Sequence, residues 1–264
     1  MGTAILDGLI ASGMDAAKIS VSTNTAASAL ALENKHGVAA FSLEEDSSNN
    51  MAAVDQADVV IVATKPYLIT EVLESLLPPH LKSDALIISV AAGITNSSME
   101  AALSQGNPVV RAMPNTPAIV GRAVTGIALG SRANDAHQKI AEELFATVGK
   151  TLVVSEDRID ALSTISGSGP AYVFYLVEQF VVAAKHQGFS DVEAKLLVNE
   201  TFLGATELLV ASGKDPAELR RQVTSPNGTT MQAIARMDKS NLDQMFIEAT
   251  DAALARAREI AAGK

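Results

Sequence analysis

"ADVVIVATKP", residues Ala57 to Pro66, decides how the first half of this chain is read. Val59 to Ala63 is a short, uncharged, β-branched run, the composition of a strand buried on both faces. It is far too short to cross a bilayer. Pro66 lacks an N–H and has a fixed φ, so it suits the first turn of a helix that follows at once. Lys65 then stands at the carboxyl edge of the strand, where ligands of open α/β sheets bind. A solvated charge explains a lysine there equally well.

The same figure recurs outward from this point. Ile19–Val21, Leu86–Val90, Val109–Ala112, Thr125–Leu129 and Thr151–Val154 are further short apolar runs punctuated by Gly, Pro or Asn. Between them Ala26–Lys35, Met51–Ala57, Tyr67–Leu77, Ser98–Gln105 and Ala136–Val148 carry helical periodicity. This alternation predicts a parallel sheet covered on both faces. After Val154 only helical patterns remain: Ile159–Ile165, Pro170–His186, Asp191–Val210, Pro216–Val223, Thr229–Met237 and Asp243–Ile260, with Gly188 and Gly213 placed as helix stops. The expected architecture is an α/β, Rossmann-like dinucleotide-binding domain over residues 1–155, followed by an all-α domain over 156–264. Asp191–Val210 has more apolar surface than a small bundle needs, which suits a dimer interface or a thicker monomeric core.

Bulk composition narrows the function. The 264 residues carry a net charge of −10 with scattered basic groups, which argues against a nucleic-acid partner. There is no cysteine, so disulfides and thiol catalysis are excluded. His36, His80, His137 and His186 show no metal-ligand spacing and read as solvated surface residues, so no metal is expected. With no charged-then-apolar leader at its start, the chain reads as soluble and cytoplasmic.

Met1–Gly13 has a stripe of Ile5, Leu6, Leu9 and Ile10 and reads as the first helix of a dinucleotide-binding unit. The strand and glycine-rich turn that precede such a helix are expected upstream of Met1. Gly2 alone stands where the last glycine of G-x-G-x-x-G would fall. The next strand ends in Ser22, Thr23 and Asn24, neutral groups that suit the 2′-phosphate of NADPH better than an acidic residue would. A hydroxyl-rich turn capping the following helix is the competing explanation. "VAAG" (Val90–Gly93) and "RAMPNTPA" (Arg111–Ala118) end two further strands in small residues, where a flat nicotinamide can approach the backbone.

Taken together, "VATKP" (Val62–Pro66), "AAGI" (Ala91–Ile94), "RAMPNTPA", "SGSGPAYVF" (Ser166–Phe174) and "VTSPNGTT" (Val223–Thr230) closely resemble the pyrroline-5-carboxylate reductases. The resemblance runs over nearly the whole chain, and the last motif is its most specific element. It implies a reductase that makes proline from a cyclic imine by hydride transfer from NADPH or NADH. It also implies a homodimer through the helical half, which in many members assembles into decamers. By the same resemblance Gly2, Ser22, Asn50, Ala63, Thr64, Lys65, Pro66, Ala91, Ala92, Gly93 and Gln222 line the cofactor, and the strand-end positions of Thr23, Asn24 and Asn115 add these three to the expected site. Ser225, Gly228 and Thr229 hold the substrate carboxylate, Thr230 is the catalytic hydroxyl facing the ring nitrogen, and Glu156 lies on the substrate side.

Members usually carry "SPGGTT", whereas Asn227 replaces the first of those glycines here. Asn tolerates the left-handed backbone better than other side chains, so the turn is expected to survive. On residue chemistry alone the loop reads first as a plain helix cap, with Thr229 or Thr230 covering the first amides, and only second as an anion grip; the resemblance reverses that order. Two rivals remain. One is another imine or 2-hydroxy-acid reductase of the same build, although Ser166–Gln187 has a lysine only at its far end, Lys185. The other is a non-catalytic NADP-binding scaffold.

Overall fold

The computed structural model describes residues Met1–Ala261. Its chain divides into two compact units, Met1–Ser168 with the segment from Leu254 on, and Gly169–Ala253.

In the first unit α1 (Gly2–Ala11), β1 (Ser20–Thr23), α2 (Ala26–His36), β2 (Ala39–Ser42) and α3 (Asn49–Val54) lead into β3 (Val59–Val62). Then follow α4 (Ile69–Ser75), β4 (Leu86–Ser89), α5 (Asn96–Ala102), β5 (Val109–Met113), β6 (Ala123–Leu129), α6 (Asp135–Ala146), β7 (Gly149–Val153) and α7 (Ile159–Leu162). Strand β2 has no β-branched residue, which is why its sequence does not announce it. It pairs with β1 in parallel register, Ser22 opposite Phe41.

The strands form a pair, β1–β2, and a five-stranded sheet in the order β3-β4-β5-β6-β7. Among the described residues no ladder joins the two, in place of the single sheet expected from the alternation. A second difference lies at β6, which runs antiparallel to β5 with Arg111 opposite Ala128. Only Pro114–Arg122 connects these strands, and a parallel return needs a crossover of about a dozen residues or more. Parallel order resumes at β7 after the crossover through α6.

Successive side chains of β4 enter opposite cores, as the pleat requires. Leu86 and Ile88 of β4 pack in one core with Ile5 and Leu9 of α1 and Phe145 of α6. Ile87, between them, faces the opposite core with Ile69, Leu73, Met99 and Leu103 of the α4–α5 side. Helices therefore cover both faces, and the stripe read from Met1–Gly13 is the one that docks.

The chain reaches Ser168 without leaving the sheet. Ile159 of α7 is fully buried, and Gly126 in β6 has no side chain where Leu162 and Ile159 press in. One wide turn of π-helix, Ser163–Gly167, follows α7. The periodicity had suggested a plain helix over Ile159–Ile165.

The second unit contains α8 (Gly169–His186), α9 (Asp191–Ser212), α10 (Pro216–Gln222), α11 (Thr229–Asp238) and the first part of α12 (Leu242–Ala261). Helix α9 starts in a capping box, Ser190 with Glu193, and ends at Gly213 in left-handed conformation. Phe180 of α8 meets Phe202 of α9 edge-on, with ring centroids 6.2 Å apart. Yet α8 buries none of its residues. Val173, Phe174, Phe180, Leu196, Leu197, Leu203 and Leu208 all remain exposed in the single chain.

Candidate functional site

In the first unit the residues expected around a dinucleotide gather at the carboxyl ends of parallel strands. Gly2 opens α1 beside the end of β3: a Cβ on it would stand 3.1 Å from Ala63 Cβ. A larger residue would push the helix start off the strand, so this cradle fits the close approach a dinucleotide turn demands. Ala63, Thr64 and Lys65 are exposed after β3, and Pro66 begins the next helical turn with Lys65 as its N-cap. After β4 the Ala91 amide donates to Ser89 Oγ at 3.2 Å. Ala92 is exposed, and Gly93 takes φ +77°, a conformation natural to glycine.

At the end of β1, Ser22 Oγ donates to Asn50 Oδ1 at 2.8 Å, so the structure joins two residues twenty-eight positions apart. Thr23 Oγ1 donates to the Thr25 carbonyl at 3.0 Å, and Asn24 is exposed. The cap of α2 is Thr25, which accepts from the Ser28 amide. None of Ser22, Thr23 and Asn24 is needed for capping. Glu44, which reading along the sequence missed, lies against the same turn: the Ala26 N–H donates to Glu44 Oε2 at 2.9 Å.

Two expected site residues prove to be engaged by the fold. Asn115 is 7% exposed. Its Nδ2 donates to the Ser166 carbonyl at 2.9 Å, and its Oδ1 accepts from the Val124 amide at 2.9 Å. It fastens the end of β5 to β6 and to the π-turn rather than offering an amide to a cofactor. Glu156 Oε1 accepts from the Asn96 amide at 2.6 Å and stands 3.7 Å from Arg111 Nη1. Arg111 is itself 4% exposed, and its Nη2 donates to Asp160 Oδ1 at 2.7 Å. Glu156 thus belongs to a half-buried ion-pair cluster around the buried Arg111, tying β5 to the start of α5 and to α7. A lone arginine inside the apolar run "VVRAM" was the available signal, because a charge in a buried strand requires partners.

His36 also departs from its expected solvated state. Its side chain is 7% exposed and Nε2 lies 2.8 Å from Asp7 Oδ1. Among the described residues no His, Asp or Glu cluster could hold a metal ion, and no helix is long and apolar enough to cross a membrane.

In the second unit, Asn227 adopts φ +61°, the left-handed turn expected of it. The Gly228 amide donates to the Ser225 carbonyl at 3.0 Å, closing a tight turn, and a Cβ on Gly228 would overlap Ser225 Oγ. Gly228 is the N-cap of α11 and no side chain caps that helix, whereas α2, α6 and α9 are capped by Thr25, Asn134 and Ser190. The plain-cap reading of the loop is therefore not what forms. Thr229 and Thr230 occupy the first two positions of α11. Their hydroxyls have no hydrogen-bond partner among the described residues, and the first-turn N–H groups stay open. Gln222, at the end of α10, donates to Glu218 Oε1 at 3.2 Å.

The chain is also similar to known proteins. A family profile described as pyrroline-5-carboxylate reductase dimerisation matches residues 156–260. Another, described as NADP oxidoreductase, coenzyme F420-dependent, matches residues 1–93. A pyrroline-5-carboxylate reductase of Corynebacterium melassecola is 35% identical over 98% of this chain and 95% of its own length. That of Pseudomonas aeruginosa is 38% identical over 99% and 93%. The solved pyrroline-5-carboxylate reductase of Coxiella burnetii superposes with a TM-score of 0.90 at 36% identity, covering 98% of this chain and 94% of that one. A Plasmodium falciparum pyrroline carboxylate reductase with NADP bound shares the fold, with a TM-score of 0.82 at 24% identity over 99% and 94%. With an α/β unit of dinucleotide-binding type, a helical unit, and relatives above 30% identity along nearly its full length, this chain belongs to the pyrroline-5-carboxylate reductase family.

Proposed function

We propose that this chain reduces the C=N bond of pyrroline-5-carboxylate to give L-proline, the last step of proline biosynthesis. NADPH or NADH, when bound, supplies the hydride. Residues 1–155 serve the dinucleotide through Gly2, Ser22, Thr23, Asn24, Asn50, Ala63 to Pro66 and Ala91 to Gly93, with Gln222 contributed by the helical half. Residues 156–264 serve the substrate and the dimer. The single observation that carries the substrate assignment is the uncapped start of α11.

That loop matches the two needs of the chemistry. A ring carboxylate is an anion, and open first-turn amides at the positive end of a helix favour anions. Ser225, Gly228 and Thr229 are assigned to it. Reduction puts hydride on the imine carbon, moves the C=N π pair to nitrogen, and requires a proton there. The Thr230 hydroxyl hydrogen-bonds that nitrogen and orients the ring, while the proton itself comes from solvent, since a neutral hydroxyl is a weak acid. Positioning is then the main contribution of these residues.

Apolar side chains exposed on α8 and α9 support a homodimer through the helical half. Further assembly to a decamer and a cytoplasmic setting belong to the same reading.

The test is a pair of substrates. With pyrroline-5-carboxylate the chain should oxidise its reduced dinucleotide. With 1-pyrroline, which has the imine and no carboxylate, kcat/KM should be lower by about a hundredfold, the weight of a few charge-assisted hydrogen bonds. Equal turnover of both would remove the loop from substrate binding, and turnover of neither would remove the activity.

A further inference from the structure

We propose that Glu44 is a specificity residue that turns the cofactor site against a 2′-phosphate, so that NADH is the preferred donor. The proposal deepens the reading above and rests on it, since it takes Ser22–Asn24 as the turn beside the adenosine ribose.

Strands β1 and β2 stay paired past the ends of their ladder. The Leu43 amide donates to the Thr23 carbonyl at 2.9 Å and the Glu44 amide to the Asn24 carbonyl at 3.1 Å. Glu44 is thereby held directly across from the turn whose neutral side chains had suggested NADPH. Its carboxylate then reaches the Ala26 N–H, the first amide of α2. A 2′-phosphate next to that turn would look for the open amides of this same helix start. Here the protein's own anion already occupies the first of them, and Thr25 Oγ1 takes the Ser28 amide. A ribose 2′-hydroxyl has the opposite requirement, because a carboxylate accepts its hydrogen bond. Oε1 of Glu44 is left to do so.

The surrounding charges add to the effect. Glu45 and Asp46 follow in the same loop. The Asp46 carboxyl is held below the usual range by hydrogen bonds from the Ser48 backbone and side chain. No lysine or arginine occurs between Lys35 and Lys65. Lys35 is bound to Asp7 at 2.7 Å. Lys18 closes the helical turn that enters β1 from its amino end, and among the described residues no hydrogen bond or ion pair places Lys65 against Ser22, Thr23, Asn24 or Glu44. A dianionic phosphate would meet carboxylates without a committed cation, whereas phosphate sites are normally built on arginine or lysine.

Equilibrium titration of the full chain with NADH and with NADPH, by calorimetry, tests this without turnover. Glu44→Gln keeps an oxygen for the Ala26 amide and removes the charge; Glu45→Gln removes a neighbouring charge that bonds no helix start. The wild type should bind NADH more tightly. Glu44→Gln should raise NADPH affinity about tenfold, a surface-charge effect discounted for screening, and weaken NADH about fivefold, because the amide nitrogen left facing the ribose cannot accept its hydroxyl. Glu45→Gln should change neither by more than about twofold. If Glu44→Gln does not fold, a salt series on the wild type gives the same answer: NADPH should gain on NADH as ionic strength rises. Tighter NADPH binding by the wild type, or an unchanged ratio in Glu44→Gln and across the salt series, overturns the proposal. Binding of neither dinucleotide overturns the cofactor reading beneath it and the proposal with it.

Discussion

Replacing Thr230 with alanine is expected to lower kcat/KM for pyrroline-5-carboxylate about a hundredfold, the usual cost of removing one hydrogen-bond donor aimed at a reacting atom. Thr230 is the second residue of α11, and its hydroxyl has no competing partner among the described residues. Nothing in the fold depends on it, so Thr230→Ala should melt within a degree or so of the wild type, as ordinary surface substitutions do. Dinucleotide affinity should not move, because the residue sits in the substrate loop. Thr230→Ser returns the hydroxyl and should recover most of the rate. A loss that serine fails to rescue would point to packing around the methyl group. Steady-state kinetics of the three proteins, with a dinucleotide titration beside them, separates these outcomes.

The second large effect is on stability. Arg111→Ala should destabilise the chain by about 2 kcal/mol, the weight of charge-assisted hydrogen bonds, below the cost for a fully buried pair because the carboxylates left behind are 27% and 31% exposed. Arg111 lies in β5 with 5% of its side chain exposed, 2.7 Å from Asp160 and 3.7 Å from Glu156. Truncation leaves both carboxylates facing a hole beside a strand, with the cation gone. Adding Asp160→Asn to Arg111→Ala should restore part of the loss, since it removes one stranded charge. Urea unfolding of the single and double variants measures this coupling directly. If Arg111→Ala unfolds at the wild-type midpoint, the cluster is not what fastens α7 to the sheet.

What could be read along the sequence follows a simple physical division. Val59–Val62 and Leu86–Ile88 are legible as strands because every position is apolar, fully buried in the second and buried or half-buried in the first. The Met1–Gly13 helix is legible because its stripe repeats at helical spacing. Ala39–Ser42 escapes because a short strand of small residues has no distinctive pattern. The antiparallel turn of β6 was available from the shortness of Pro114–Arg122, but a count of apolar runs gives no direction.

Site residues divide differently. The Asn227 turn follows from local backbone chemistry, and the structure has it. Asn115, Glu156 and His36 owe their states to partners far along the chain, Ser166, Asn96 and Asp7, that no local pattern reveals. Glu44 is the same case: β2 brings it beside the neutral turn Ser22–Asn24, twenty positions from Asn24 along the chain, and the proposed preference for NADH turns on it.

The most direct measurement of the central claim follows the hydride. Pyrroline-5-carboxylate is incubated with the full chain and reduced dinucleotide carrying deuterium at the transferable position, and the product is examined by mass spectrometry and NMR. Expected is L-proline with a single deuterium on Cδ, the former imine carbon, and none on Cα, formed far more slowly by Thr230→Ala. Unlabelled proline, label at another carbon, or no proline from a folded chain that binds the dinucleotide would contradict it.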